Sequence, residues 1–274
     1  MTKLYKINNI SKIVIIFELN KEIMELSKTK AGSLSQLSKK KYRDSQNLFI
    51  AEGEKNVMEL LGSFDLYHVI ASKEWIESHE ETCHKIGDKL LEGKKELIKK
   101  ISSLSTPPEV LAIFNKPKYE KIVSLPDDKL YLILDGVQDP GNLGTIIRTA
   151  DWFGIDTVFA SFQTADIYNA KALQATMGSL KRVKVIYCNL EELIKDNDRL
   201  PVIGTLLEGK NLYQENIPGY GFVIMGNEGK GISESLRQLI EYKIKIPPYH
   251  PTNHAESLNV AIATGIILSY IRQK

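Results

Sequence analysis

The chain has 274 residues, 43% of them hydrophobic and 26% charged, an ordinary globular composition with enough length for one large domain or two small ones. Its two cysteines, Cys83 and Cys188, stand far apart and in no Cys-x-x-Cys pattern, so a disulfide framework or a zinc site is not expected and a reducing cytoplasm fits. The net charge of +2 points to no partner by itself. Its distribution says more: residues 1–118 carry 20 Lys and Arg against 16 Asp and Glu, and the remainder carries 16 against 18. The basic charge is densest before residue 44 and ends in Lys39, Lys40, Lys41 and Arg43. A basic module joined to a near-neutral one suits a protein that holds a polyanion with one part and works on it with the other. A solvated lysine-rich helix face would look the same on charge alone.

Residues 13–17 form an apolar run far shorter than the roughly 20 residues a membrane span needs. No small-residue cleavage site follows it, so no signal peptide is expected. A helix is predicted over 34–42, then a strand over 47–51, a helix over 54–61 and a strand over 66–71. A Lys- and Glu-rich stretch follows, and Thr106-Pro107-Pro108 interrupts the chain. Another strand is predicted over 110–114. Residues 115–128 hold two prolines, several charges and no apolar period, which reads as a linker.

Beyond the linker, apolar runs of strand length recur at 130–134, 157–160, 183–187, 202–206, 222–225 and 243–246. Several are apolar throughout, as strands covered on both faces are. Helices are predicted between them at 143–153, 170–177 and 234–240. A last helix is expected from about 257 to 272, with Val260, Ala263, Thr264, Ile267, Leu268 and Ile271 on one buried face. This alternation predicts an α/β domain with a mostly parallel sheet. Such sheets bind ligands at the carboxyl ends of their strands. Three polar, glycine- or proline-rich segments leave those ends, at 135–144, 226–231 and 247–259.

The first segment runs Asp135-Gly-Val-Gln-Asp-Pro-Gly-Asn-Leu-Gly-Thr-Ile-Ile-Arg148. Gly141 and Gly144 bracket Asn142 at a helix mouth, where free backbone N–H groups can face an anion. Asn142 as a simple helix cap and Arg148 as a surface ion-pair partner explain the same residues about as well. The second segment, Gly226-Asn-Glu-Gly-Lys-Gly231, has no GxGxxG, and Lys230 is followed by glycine rather than Ser or Thr. Both facts argue against a nucleotide triphosphatase or a dinucleotide-dependent oxidoreductase. The third segment includes Ile246-Pro247 and Ser257-Leu-Asn-Val260. It is expected to enter the last helix with Glu256 or Ser257 near the cap and Asn259 buried in the first turn, in need of polar partners. His250 and His254 read as loop residues rather than metal ligands.

Taken in order, the three segments resemble the signature motifs of the SpoU (TrmH-like) family of SPOUT RNA methyltransferases. Asn142, Gly144 and Arg148 match the first motif, Gly226 to Gly231 the second, and Ile246, Pro247 and Ser257–Val260 the third. Residues 37–118, with Lys41-Tyr-Arg-Asp44 and Leu48-Phe-Ile-Ala-Glu-Gly-Glu-Lys55, resemble the small substrate-RNA-binding domain that often precedes this catalytic domain. The expected layout is an unassigned extension over 1–36, this RNA-binding domain over 37–118, a linker over 119–128 and the SPOUT domain over 129–274.

The resemblance implies a C-terminal trefoil knot, a homodimer packed through the knotted region, and no metal. It implies S-adenosylmethionine-dependent 2′-O-methylation of a ribose in structured RNA, with 23S ribosomal RNA (a guanosine) favoured over transfer RNA. Leu206, Gly226, Ile246 and Leu258 would line the cofactor cleft. Arg148, Asn142, Glu228, Ser257 and Asn259 would be catalytic, and Lys40, Lys41 and Arg43 would contact RNA. Small residues Ala261, Ala263 and Gly265 would permit close packing of the last helix, either in a dimer or within the chain. Residues 250–252 replace a shorter glycine-containing turn of the family, and residues 1–23 have no counterpart in it, with Met24 a possible start. The rival reading is a non-catalytic RNA-binding or ribosome-assembly factor.

Overall fold

A computed structural model describes residues 23–119, 124–250 and 255–273. The expectations for residues 1–22, and for the turn at 251–254 with its His254, lie outside them. The chain divides into two units, Met1–Lys116 and Pro117–Lys274.

The first unit is α/β, and its order in the chain is as follows. Strand β1 (Met24–Glu25) leads to α1 (Lys28–Ser35), a 3-10 turn (Gln36–Ser38), α2 (Lys40–Gln46), β2 (Leu48–Glu52), α3 (Glu54–Leu60) and β3 (Leu66–Ala71). The Lys- and Glu-rich stretch resolves into α4 (Lys73–Ser78), α5 (Glu80–Ile86), β4 (Leu90–Glu92) and α6 (Lys95–Ile101), before β5 (Val110–Asn115). The sheet order is β1-β4-β3-β5-β2. β5 runs antiparallel to both its neighbours, and the other pairs are parallel. Leu26, Ala31, Leu34, Leu37, Ile70, Leu91, Ile98 and Leu111 share one buried core. Leu26, just after β1, and Ala31 and Leu34 of α1 supply core side chains, so the packed unit includes residues before 37.

The single helix expected over 34–42 is broken at Lys39, which adopts extended backbone before α2. Arg43 explains the break. Its side chain is 3% exposed, and its Nη1 donates to the carbonyls of Leu37 and Ser38, each at 2.8 Å. Those carbonyls belong to the turn that separates the two helices. Arg43 thus closes a helix end from inside the domain, with its guanidinium turned to backbone carbonyls rather than to solvent. Lys40 and Lys41 remain exposed. Glu52, from the same stretch of resemblance, is buried and accepts from the Ser102 and Ser103 hydroxyls and the Ser103 amide.

The second unit is a six-stranded sheet in which every pairing is parallel. Its elements are β6 (Leu130–Asp135), α7 (Pro140–Trp152), β7 (Thr157–Ala160), α8 (Ala170–Thr176), β8 (Lys184–Tyr187) and α9 (Leu190–Asp196). They continue with β9 (Val202–Asn211), β10 (Gly221–Gly226), α10 (Glu234–Arg237), β11 (Tyr242–Lys245) and α11 (Val260–Arg272). The strand order is β11-β9-β10-β6-β7-β8. Tyr131, Phe159 and Phe222, from three adjacent strands, form an aromatic cluster in the core. The end of the expected linker belongs to this unit: Leu125 is buried in the core, and its amide donates to Asn197 Oδ1 at 3.0 Å.

The strand order carries the functional consequence. From β6 the chain moves outward through β7 and β8, then returns to the other side of β6 for β9, β10 and β11. The order therefore reverses between β6 and β10. That is the position where an open parallel sheet leaves a crevice beyond its carboxyl ends.

Candidate active site

The first and second segments flank this crevice at one level, because Gly226 of β10 is in register with Asp135 of β6. The second segment folds back as a tight hairpin in which Asn227 and Gly231 exchange backbone hydrogen bonds of 3.0 and 2.9 Å. Asn227 organises it: Oδ1 accepts from the amides of Gly229 and Lys230, and Nδ2 donates to the Gly136 carbonyl at 2.7 Å. Asp135 Oδ2 accepts from the Ser233 amide at 2.7 Å. The loops after two adjacent strands are thus locked together by side chains from both. Asn227 and Asp135 were not among the expected site residues, although an Asn opening a Gly-rich turn is a known turn-former.

Helix α7 begins at Asp139, whose Oδ1 accepts from the Asn142 amide at 2.8 Å, with Pro140 in the first turn. Asn142 is therefore not the cap, and its side chain is available for other partners. Its Nδ2 donates to Glu228 Oε1 at 3.1 Å, and its Oδ1 accepts from Asn259 Nδ2 at 2.9 Å. Glu228 also receives the Gln138 and Asp139 amides at 3.3 and 3.5 Å. A carboxylate of the protein itself occupies the helix mouth where the sequence suggested a bound anion. Partial burial pushes the Glu228 pKa up, but the hydrogen bonds from Asn142 and backbone amides outweigh it, and the net pKa lies below the usual carboxylate range. Asn259 is itself the cap of α11, its Oδ1 accepting from Ala261 and Ile262 amides. This corrects two expectations: α11 starts at Val260, and Asn259 is exposed rather than buried in the first turn.

One hydrogen-bonded row, Asn259–Asn142–Glu228, joins the three segments. Gly144 serves packing. A Cβ there would lie 2.3 Å from the Ala172 carbonyl oxygen, so only glycine lets α7 lie against α8.

Residues 129–269 match the SpoU rRNA methylase family, and residues 28–112 match the MRM3-like substrate binding domain. The chain belongs to the SpoU rRNA methylase family. It is similar to the Bacillus subtilis 23S rRNA (guanosine(2553)-2′-O)-methyltransferase RlmP, with 32% identity over 92% of this chain and 99% of that protein. Among solved structures, a TrmH-family RNA methyltransferase from Porphyromonas gingivalis is 35% identical with a TM-score of 0.80, over 90% of this chain and 98% of the other. The AdoMet-bound rRNA methyltransferase of Sinorhizobium meliloti is 30% identical with a TM-score of 0.78, over 92% and 97%. This SpoU protein is an RNA 2′-O-methyltransferase that uses S-adenosylmethionine.

In this SpoU chain Arg148 lies on α7, two turns beyond Asn142, and is exposed. It forms no hydrogen bond or ion pair with any of the described residues, so the reading as an ion-paired surface arginine does not apply to them. Ser257 and Leu258 are exposed just before the Asn259 cap. Ile246 is half-buried directly after β11. Leu206 differs from the other expected cleft residues: its side chain is packed into the core of the second unit. The donor set suits S-adenosylmethionine. Leu207, 77% exposed on β9, and Leu258, 50% exposed before α11, supply open apolar side chains, and the Asn227–Gly231 hairpin supplies a backbone turn. That combination offers apolar walls with backbone donors and acceptors, as small-molecule sites do.

Asn142→Asp tests the row directly. The variant keeps an acceptor for Asn259 but removes the donor to Glu228 and sets two carboxylates in contact. Methyl transfer should fall at least tenfold, while the melting temperature, set by a half-exposed position, should move by a few degrees at most. Radiolabelled methyl incorporation together with a thermal melt measures both. Unchanged transfer would show that the row does not organise the site.

Proposed function

We propose that this SpoU enzyme methylates the 2′-hydroxyl of a guanosine in 23S ribosomal RNA, in the cytoplasm and as a homodimer. The observation that carries the site assignment is the Asn259–Asn142–Glu228 row at the topological switch point, with Arg148 exposed on the same helix as Asn142. The similarity to RlmP over nearly the whole of both chains supports the choice of RNA and base.

A ribose hydroxyl is a weak nucleophile and a very weak acid. S-adenosylmethionine supplies, when bound, a methyl group made electrophilic by its positive sulfur. Gly226, Ile246, Leu258 and the Leu206 backbone would hold it. The remaining tasks fall to this chain: align the ribose, exclude water and steady the charge that grows on the 2′-oxygen. An arginine guanidinium is a fork of donors with no acceptor, so Arg148 is not assigned as the base. Its role is to bind a substrate phosphate and stabilise the developing alkoxide. Glu228, ionised and held by several donors, orients Asn142 rather than taking the proton. Ser257 and Asn259 position the ribose from the third segment. Lys40 and Lys41 lie on the RNA-binding unit and meet the backbone phosphates, so RNA affinity falls as salt rises.

The trefoil knot and the dimer belong to the same reading. β11 pairs with β9 in two separated places, at residues 203–204 and again at 210–211. The intervening residues stand off the ladder, which suits a threaded C-terminal segment. α7 and α11 lie side by side, their starts joined through Asn142 and Asn259 and their ends through the Arg272 bond to the Phe153 carbonyl. Gly265 faces Thr149 of α7 and Ala261 is buried, so these two small residues serve packing within the chain. The open faces of the pair instead carry Ile262, 58% exposed, and Trp152, 85% exposed. They are the natural dimer surface. Light scattering should give twice the chain mass, and Ile262→Asp should shift it toward one.

The test of the function is the purified chain on an unmodified 23S rRNA transcript, with the product mapped by mass spectrometry. One 2′-O-methylguanosine is the expected result. RNA binding with no methyl transfer would favour a ribosome-assembly factor, and methylation of transfer RNA alone would overturn the substrate.

A further inference from the structure

The turn after β7 combines a rigid frame with an exposed ring. The Ser161 amide and the Thr164 hydroxyl both donate to the Leu134 carbonyl, each at 3.0 Å. The Gly136 amide donates to Ser161 Oγ at 2.9 Å and to Thr164 Oγ1 at 3.1 Å. The Thr164 amide closes the turn onto the Ser161 carbonyl, and the Ala165 amide donates to the Val137 carbonyl at 2.8 Å. Ser161 and Thr164 are buried. Between them Phe162 is 65% exposed, and Gln163 beside it is exposed too.

The frame fixes this ring relative to the catalytic loops. Gly136, which holds the turn, is the residue whose carbonyl receives Asn227 of the second segment. The same rim carries exposed Gln138 and Lys171, whose Nζ reaches Asp139 at 2.6 Å. Phe162 therefore stands at the carboxyl edge of the sheet, exposed on a turn that is tied to the loop after β6. A single exposed aromatic face beside the loops of an RNA methyltransferase's site, with Gln163 next to it in the chain, fits a nucleobase. A ring already held by a fixed turn loses little freedom when a base stacks on it.

We propose that Phe162 is a stacking platform for an unpaired base of the RNA substrate next to the methylated ribose, and so a positioning and specificity residue for the reaction. The proposal rests on the RNA methylation reading above. Stacking on aromatic side chains is the usual way in which single-stranded RNA bases are held, and it tolerates a change of ring but not its loss.

Phe162→Ala, Phe162→Leu and Phe162→Tyr separate the possibilities. The measurements are kcat and KM for the unmodified 23S rRNA transcript, S-adenosylmethionine affinity, light scattering and a thermal melt. Alanine and leucine should each lower kcat/KM for RNA about tenfold or more, mainly through KM. Tyrosine should stay within about twofold of the wild type, and cofactor affinity and melting temperature should not change. Leucine as good as phenylalanine would reduce the contact to apolar bulk and overturn stacking. Full activity of the alanine variant would overturn the role altogether, and a change of oligomeric state would reassign the ring to a protein interface. A wild-type chain that methylates no RNA would overturn the functional reading, whereas an active wild type with an unaffected alanine variant overturns this proposal only.

Discussion

Replacing Arg148 by alanine is expected to abolish methyl transfer while leaving the fold and cofactor binding nearly intact. Arg148 is exposed on α7 and takes no part in any hydrogen bond or ion pair with the described residues. The fold therefore loses little when it is removed. The residues proposed to hold the cofactor come from other elements: Leu206 within β9, Gly226 at the end of β10, Ile246 just after β11 and Leu258 just before α11. A charge that acts chiefly in the transition state lowers turnover more than ground-state binding. Loss of such a contact costs on the order of a hundredfold or more. Arg148→Lys keeps the charge and loses the planar fork, so a substantial loss there as well would assign the role to geometry. Single-turnover transfer to the 23S rRNA transcript and cofactor titration measure the two quantities separately. Near-normal turnover of Arg148→Ala would remove Arg148 from the site.

Gly226→Ala should be the most damaging one-methyl change in the second segment. A Cβ at Gly226 would lie 2.4 Å from the Gly231 carbonyl carbon and 2.5 Å from the Ile232 nitrogen. These are backbone atoms and cannot turn aside, so the Asn227–Gly231 hairpin must move off the strand end. Overpacking of this kind costs about 1–3 kcal/mol. The displaced hairpin carries the Asn227 bond to Gly136 and the Glu228 bond to Asn142. Cofactor affinity and turnover should therefore fall together with the melting temperature. Gly229→Ala is the control within the same turn. Its added methyl would meet nothing closer than Asn227 Oδ1 at 3.7 Å, and it should behave as wild type. Equal behaviour of the two variants in melting and cofactor titration would refute the packing account.

Most of the second unit could be read from residue order. Its central strands, β6 and β10, are buried on both faces, and uninterrupted apolar runs such as 130–134 and 222–225 are what such strands show. Helix α9 was missed although Asn189 caps it and Leu190, Leu193 and Ile194 are buried at helical spacing; seven residues are too few for a period to stand out. α10 ends at Arg237 rather than 240, because a 3.6-residue pattern cannot show where backbone hydrogen bonding stops. In the first unit, the break at Lys39 depends on Arg43 reaching back to two carbonyls. A basic residue in a basic run carries no mark of that.

The motifs named the family and the chemistry, because each is a short segment whose residue types are set by local demands: a tight turn, a helix cap, a close backbone approach. Their assembly is a different matter. β11 lies three strands from β6, about 14 Å across the sheet at the usual spacing, and nothing in the order of residues says that the chain after β11 returns to Asn142. The fold decides it by placing the cap of α11 beside the first turn of α7, so that one asparagine starts a helix with its oxygen and reaches the first motif with its nitrogen. Glu228 gains its role in the same way, since the switch in strand order sets its hairpin over the mouth of α7. Residue types and local turns are written along the chain, whereas partners more than a hundred residues apart, as Asn142 and Asn259 are, exist only once strand order has brought their loops to one edge.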